Sequence, residues 1–113
     1  MGTPAFAVPA LRAVARCCDV AAVVTQPDRE RGRGRELASS EVAFAAAELG
    51  LPVEKPADLR AAEVRERLAA YAPDLFAVVA FGAILGPELL AVPRLGSVNL
   101  HGSLLPEYRG ASP

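Results

Sequence analysis

The sequence predicts an α/β domain built on an open, mostly parallel sheet, because apolar strand-like runs alternate with helix-like segments. The runs VAAVVT at residues 20–25 and LFAVVA at 75–80 are apolar at almost every position. A run without polar alternation is typical of a strand that is covered on both faces. A brief strand is expected at Val53, and SVNLH at 97–101 forms the last one. Ligands of such sheets bind beyond the carboxyl ends of the strands, so we expect the functional site there.

Helix-like segments connect these strands. Pro9 lies near the first turn of the first segment, where the missing N–H of proline costs least. Ser39 or Ser40 can cap the second segment, and Gly50 ends it. The predicted helices are residues 5–16, 40–49, 61–71 and 87–90.

The front of the chain lacks an expected element. Residues 1–4, Met-Gly-Thr-Pro, lead directly into a helix, so a strand-to-helix turn begins with no strand before it. The first strand of a doubly wound sheet is central. We therefore expect that this strand is missing and that the sequence is incomplete at its amino end.

Composition predicts a single domain without a bulk preference for a charged partner. The chain is 52% hydrophobic and its net charge is -1, so neither nucleic acid nor a membrane surface is favoured overall. Cys17 and Cys18 are adjacent, which is neither a metal-ligand spacing nor a redox pair. No leader peptide and no apolar run of spanning length is present, so we expect a cytoplasmic protein without membrane contact.

Arginines cluster in one segment, residues 26–37, which has no periodicity and is predicted to be a loop. Arginine suits forked contacts to phosphate, and nucleic-acid backbones attract such clusters. Two glutamates, Glu30 and Glu36, partly offset the charge, so an ordinary solvated loop is an equal alternative. The clustered arginines are Arg29, Arg31, Arg33 and Arg35.

Asn99 and His101 are the only asparagine and the only histidine of the chain. Their spacing of two on a strand predicts that both side chains share one face. An amide donor beside an imidazole suits acyl-type transfer, because the amide can hydrogen-bond the oxygen of a tetrahedral intermediate and the imidazole can hold its charge or relay a proton. Spacing alone favours the alternative, a polar strand end that faces a loop. Residues 102–110 follow as an ordered loop suited to a flat ligand, or as a plain connection.

Four segments carry a resemblance to a known family: GTPAFAVPAL, VVTQPDRERGRGREL, VVAFGAILG and VNLHGSLLPEYRGASP. In this order and spacing they resemble the methionyl-tRNA formyltransferases over essentially the whole chain. The motif Asn-x-His-x-Ser-Leu-Leu-Pro, followed by an aromatic residue, arginine and glycine, is specific to folate-dependent formyltransferases. The segment that begins QPDR and contains GRG resembles the tRNA-acting branch rather than the glycinamide ribonucleotide branch.

The resemblance implies a Rossmann-like formyltransferase fold that transfers a formyl group from 10-formyltetrahydrofolate to the amino group of methionyl-initiator-tRNA. It implies catalytic roles for Asn99 and His101 and a grip on the tRNA acceptor end by the arginine segment. The folate is a co-substrate, and no metal and no obligate protein partner is implied. The implied folate contacts are Phe81, Gly82, Ile84, Leu85, Ser103, Leu104, Leu105 and Pro106.

The resemblance also marks what this chain departs from or lacks. The family's third catalytic residue, an aspartate, and its C-terminal tRNA-binding domain lie beyond Pro113. Residues 1–113 are therefore expected to be part of the N-terminal formyl-folate-binding catalytic domain, inactive alone. Gly86 and Glu107 stand where the family commonly has proline and a basic residue. The alternatives are a formyltransferase for a small amine, such as a nucleotide or nucleotide sugar, and a non-catalytic remnant that binds folate or RNA.

Overall fold

The computed structural model of the chain describes residues 1–31, 34 and 36–101, and for Arg31 it describes the backbone alone. A 3-10 turn at Ala5–Ala7 leads into the first α-helix. The helices are α1 Val8–Cys17, α2 Glu41–Glu48, α3 Ala62–Ala69 and α4 Pro87–Leu90. The strands are β1 Val23–Val24, β2 Arg29–Arg31, β3 Glu36–Ala38, β4 Val53–Glu54, β5 Phe76–Val79 and β6 Ser97–Leu100. The predicted helices all form, within a few residues of the expected ends.

Parallel strand pairs form the centre of the structure. Strand β1 pairs with β4, and β5 pairs with β6, both in parallel. Each parallel connection contains a helix, because parallel strands require a crossover rather than a tight turn. The prediction of an α/β fold with mostly parallel strands is confirmed.

Met1 and Gly2 join the two parallel pairs. The Gly2 N–H donates to the Val24 carbonyl at 3.0 Å, and the Val79 N–H donates to the Met1 carbonyl at 2.8 Å. A parallel bridge joins Gly2 to Val79. These two residues occupy the central position in which a first strand was expected, so the ladder is continuous at this level. The α-amino group of Met1 donates to the Ala77 carbonyl at 2.6 Å, and burial lowers its pKa to about 6.

The loop predicted over residues 26–37 is replaced by strand at residues 29–31 and 36–37. Strands β2 and β3 pair antiparallel, with Arg29 opposite Ala38 and Arg31 opposite Glu36. The prediction was wrong because the pairing is stabilised from outside the segment as well as within it. Lys55, the only lysine of the chain, donates to Asp28 at 2.7 Å and to Ser39 at 3.1 Å, one residue outside each strand. The hydrogen bond from Lys55 lowers the pKa of Asp28.

Helix α2 begins at the predicted serine cap. The Ser40 hydroxyl accepts a hydrogen bond from the Ala43 N–H at 3.1 Å, which satisfies one of the free donors of the first turn. The same hydroxyl lies 2.6 Å from that of Thr25, and both residues are buried. The cap therefore also joins α2 to the residue that follows β1.

Replacing Ser40 with alanine is expected to lower the free energy of unfolding by about 2 kcal/mol, because the substitution removes the cap and leaves the buried Thr25 hydroxyl unpaired. Urea unfolding of the 113-residue chain measures the change. Ser39→Ala is the matched control, since the exposed hydrogen bond of Ser39 to Lys55 is expected to contribute less than about 0.5 kcal/mol. Equal losses for the two variants would contradict the role of the Thr25–Ser40 pair.

Two apolar clusters flank the central strands. One includes Leu68, Phe76, Phe81 and Leu89, and lies against α3 and α4. The other includes Ala7, Val23, Val42 and Ala46, and lies against α1 and α2. Helices thus cover both faces of the sheet, as the apolar strand runs predicted. In the part of the chain that is described, no helix has the length and apolar character needed to cross a membrane.

Candidate functional site at the carboxyl edge of the sheet

The carboxyl ends of the parallel segments meet at one edge, which we call the carboxyl edge. Val79 at the end of β5 pairs with Leu100 at the end of β6, so residues 80–85 and His101 leave the sheet together. Thr3 follows the bridge residue Gly2, and Gln26 lies two positions beyond β1. Polar groups from distant parts of the sequence are thereby brought to the place where ligands of parallel sheets bind.

Asn99 and His101 lie on the last strand at this edge. Asn99 is exposed within β6, opposite Val78 of β5, and His101 directly follows the strand and is half-buried. The N–H donors of an exposed amide are accessible to an incoming ligand, whereas those of an amide buried in the core are not. The catalytic roles assigned to these two residues stay predictions.

The Phe81 carbonyl is fixed by two residues that sequence analysis missed. The Thr3 hydroxyl donates to it at 2.7 Å and the Gln26 amide at 3.4 Å. These donors are 78 and 55 positions away along the chain. The one available signal was that each is a polar residue shortly after a sheet segment. Thr3 and Gln26 are positioning residues for the segment after β5.

The segment after β5 turns sharply. Ala80 and Gly82 have φ angles of 49° and 88°, both in the left-handed region. Such a conformation strains Ala80 by roughly 1–3 kcal/mol, while glycine adopts it freely. Strain of this kind persists where the surrounding contacts hold the backbone in place, and the hydrogen bonds to Phe81 do so here.

The predicted folate contacts in this segment have different environments. The Phe81 side chain is 3% exposed and belongs to the core, whereas Ile84 is 92% exposed. Leu85 is partly buried against the core. Ile84 and the backbone groups of the segment are therefore accessible to a flat ligand, while the Phe81 side chain anchors the segment in the core. Ser103, Leu104, Leu105 and Pro106 lie outside the described residues.

Arg29, the first of the clustered arginines, adjoins the carboxyl edge. A cavity of about 240 Å³ lies between the base of the β2–β3 hairpin and the edge, and exposed Arg29 lines it. Arg31 belongs to β2, while Arg33 and Arg35 lie outside the described residues. The residues that line the cavity are Thr3, Pro4, Gln26, Pro27, Arg29, Ala38, Ser40 and Glu41. The hairpin base and the residues that hold the Phe81 carbonyl therefore share one cavity.

Among the residues that the structure describes, potential metal ligands do not gather at this edge. Over residues 1–31, 34 and 36–101, no group of three or more histidine, cysteine, aspartate or glutamate side chains could hold a metal ion. The polar groups that the structure describes at the edge are amides, hydroxyls, backbone carbonyls, an imidazole, the guanidinium of Arg29 and the carboxylate of Glu41. These groups suit hydrogen bonding to a polar ligand.

A protein-family comparison decides the family. Residues 6–113 match the model of the formyl transferase family. The chain belongs to this family. The formyl transferase resemblance predicted from the four sequence segments is thereby confirmed.

Three relatives of this formyl transferase chain are named methionyl-tRNA formyltransferase. A methionyl-tRNA formyltransferase of Methylococcus capsulatus is 58% identical over 113 residues, which are 99% of this chain and 37% of the relative. One of Xylella fastidiosa is 55% identical over 112 residues, 99% of this chain and 36% of the relative. One of Moorella thermoacetica is 54% identical over 114 residues, the whole of this chain and 37% of the relative. The chain spans a little over a third of the length of these relatives.

Proposed function

We propose that the protein transfers the formyl group of 10-formyltetrahydrofolate to the amino group of methionyl-initiator-tRNA. The observation that carries this proposal is the identity of 54–58% over nearly the whole chain to relatives named methionyl-tRNA formyltransferase. Residues 1–113 would be part of the N-terminal formyl-folate-binding catalytic domain, and the protein would act in the cytoplasm. Alone, the 113-residue chain would not turn over.

Formyl transfer requires a hydrogen-bond donor that is directed at the formyl oxygen. Attack by the amino group of methionine on the formyl carbon places negative charge on the formyl oxygen, and a preorganised N–H donor stabilises that charge. Asn99 would supply this donor from the exposed end of β6. The bond between the formyl carbon and the folate nitrogen would break as the tetrahedral intermediate collapses. The imidazole of His101, two residues further, would hold charge or relay the proton that leaves the attacking amine to the departing folate nitrogen.

The folate would lie against the segment after β5. The exposed side chain of Ile84 offers apolar contact to a pterin ring, and the backbone after Phe81 is already fixed by Thr3 and Gln26. Fixed backbone groups bind without the entropy cost of ordering a loop. Ser103, Leu104, Leu105 and Pro106 would complete the folate contacts.

A chimaera provides the test of function. In the chimaera, residues 1–113 replace the matching segment of the Methylococcus capsulatus relative, which supplies the rest of the protein. We expect folate-dependent formylation of methionyl-tRNA, measured with radiolabelled methionine. Glycinamide ribonucleotide and an amino nucleotide sugar are the competing acceptors. Faster formylation of either small amine would overturn the tRNA proposal, and folate binding without any transfer would support a non-catalytic remnant.

Replacing Arg33 with alanine in the chimaera is expected to weaken the use of tRNA while folate binding stays unchanged. A guanidinium that contacts phosphate contributes to the salt dependence, so the slope of log kcat/KM against log salt should fall by about one. Arg60→Ala is the matched control, because it removes one exposed positive charge from a different surface. Equal damage to folate affinity and to tRNA use would assign the arginine segment a general structural role.

A further inference from the structure

The β2–β3 hairpin is held on the sheet by polar contacts at its base. Among the elements that the structure describes, β2 and β3 contact chiefly each other. The one large apolar side chain of the two strands, Leu37, is 70% exposed and adds little to the core. Apolar packing therefore does not fix the orientation of the hairpin, and the contacts at its base decide it.

Lys55 joins both ends of this base. Its ammonium group donates to Asp28 Oδ1 at 2.7 Å and to Ser39 Oγ at 3.1 Å. Asp28 directly precedes β2, and Ser39 directly follows β3. An ammonium group has three donors, so one lysine can hold both residues at once. The base is therefore closed by a single side chain that belongs to neither strand of the hairpin.

The backbone of Lys55 is itself fixed to the parallel sheet. Lys55 directly follows β4, and the Thr25 N–H donates to the carbonyl of Glu54, the last residue of β4, at 3.0 Å. The side chains of Lys55 and Asp28 are 32% and 36% exposed. Salt screens a partly covered ion pair less than one in open solvent. Lys55 therefore fixes the position of the hairpin relative to the sheet.

Arg29 is the residue that this contact positions. It directly follows Asp28 and lines the cavity at the carboxyl edge. Because a peptide bond joins the two residues, a movement of Asp28 away from Lys55 also moves the backbone of Arg29. A guanidinium that is already held in place binds a phosphate group with a smaller entropy cost than a mobile one. The contact with Lys55 thus prepares Arg29 for an anionic ligand at this edge.

We propose that Lys55 is a positioning residue for the tRNA substrate, because it holds both ends of the β2–β3 hairpin and thereby keeps Arg29 at the carboxyl edge. Lys55 itself does not touch the tRNA. The inference rests on the proposed function, and it assigns to Lys55 a contribution to the use of tRNA and none to the binding of folate.

The test replaces Lys55 with methionine in the chimaera, which removes the charge and the donors but keeps an unbranched side chain. We expect KM for methionyl-tRNA to rise about tenfold, while kcat and KM for 10-formyltetrahydrofolate stay within about twofold. Lys55→Arg keeps the charge and the donors, so it should recover most of the loss. Arg65→Met is the matched control, since Arg65 is 29% exposed and its ion pair with Glu88 joins α3 to α4 instead.

Asp28→Asn separates positioning from attraction by charge. Removing a carboxylate near a polyanion should improve the use of tRNA if charge alone matters. Loss of the ion pair with Lys55 should instead raise KM for methionyl-tRNA. The Lys55→Met/Asp28→Asn double variant should lose no more than the larger of the two single losses, because both substitutions break the same contact.

Limited digestion with trypsin measures the hold on the hairpin independently of turnover. Cleavage of a bond within a strand requires local opening of that strand. The Arg29–Glu30 bond should therefore be cleaved about tenfold faster in the Lys55→Met and Asp28→Asn variants of the chimaera than in Arg65→Met, as measured by fragment mass.

Four results would overturn the inference about Lys55. They are a KM for methionyl-tRNA of Lys55→Met within about twofold of the unmodified chimaera, an equal rise in KM for folate, better use of tRNA by Asp28→Asn, and unchanged cleavage at Arg29. Failure of the proposed function is a separate outcome, in which the unmodified chimaera formylates a small amine in preference to methionyl-tRNA.

Discussion

Asn99→Ala in the chimaera is expected to lower kcat/KM for formylation of methionyl-tRNA about 100- to 1,000-fold. This is the usual effect of removing one donor from an oxyanion site, about 2.7–4 kcal/mol of transition-state stabilisation. The amide of Asn99 is exposed at the carboxyl edge, one residue before the end of β6. Because the donor acts on charge that develops only in the transition state, most of the loss should be in kcat rather than in KM for folate or tRNA.

Val98→Ala is the matched control for Asn99→Ala. Val98 is 55% exposed on the same strand, but its side chain points to the opposite face of the sheet. We expect its kcat/KM to stay within about threefold of the unmodified chimaera, since exposed positions rarely change stability by more than about 0.5 kcal/mol. A value for Asn99→Ala within twofold of the unmodified chimaera would remove the oxyanion role, provided that both variants unfold at the same temperature.

Gly2→Ala is expected to destabilise the 113-residue chain by about 1–3 kcal/mol, the usual cost of overpacking a close contact. A methyl group on Gly2 would lie 2.8 Å from the Cβ of Ala7 and 2.8 Å from the carbonyl oxygen of Val79. Neither atom is the end of a flexible side chain, so the backbone must shift. The shift would strain the bridge through which Met1 and Gly2 join β1 to β5.

Gly86→Ala is the matched control for Gly2→Ala. Nothing lies within 4 Å of a methyl group at Gly86, and its φ of -70° is ordinary for alanine. We expect a change below about 1 kcal/mol, since the lower entropy of the unfolded chain and the poorer capping by alanine oppose each other. Urea midpoints of the two variants give the comparison. A Gly2→Ala midpoint equal to that of Gly86→Ala would show that the close approach at Gly2 is not required.

Local chemistry accounts for the elements that were predicted correctly. The apolar runs around β1 and β5 lack the alternation of a half-exposed strand, so they had to be covered on both faces. Ser40 caps α2 through a contact three residues away, and the φ of 70° at Gly50 suits the end of that helix. Such features depend only on residues a few positions apart, so they can be predicted from the sequence.

The pairing of β2 with β3 could not be predicted from the local sequence. Residues 26–37 carry no periodic pattern, and the pairing of Arg29 with Ala38 depends on cross-strand contact and on Lys55, which lies 27 positions from Asp28. Without a periodic pattern, the amino-acid composition of a loop cannot be distinguished from that of a short hairpin. The arginine cluster was identified, but the placement of Arg29 beside the carboxyl edge was not.

The sequence by itself determined the family, the parallel α/β fold and the position of Asn99 near the end of a strand, because each depends on motifs or periods carried by contiguous residues. Only the tertiary structure decided that Met1 and Gly2 bridge β1 and β5, that Thr3 and Gln26 hold the Phe81 carbonyl, and that Phe81 is buried while Ile84 is exposed. These features rest on contacts between residues more than twenty positions apart or on packing against several elements at once. No local pattern encodes them, since a single peptide segment contains only one partner of each contact.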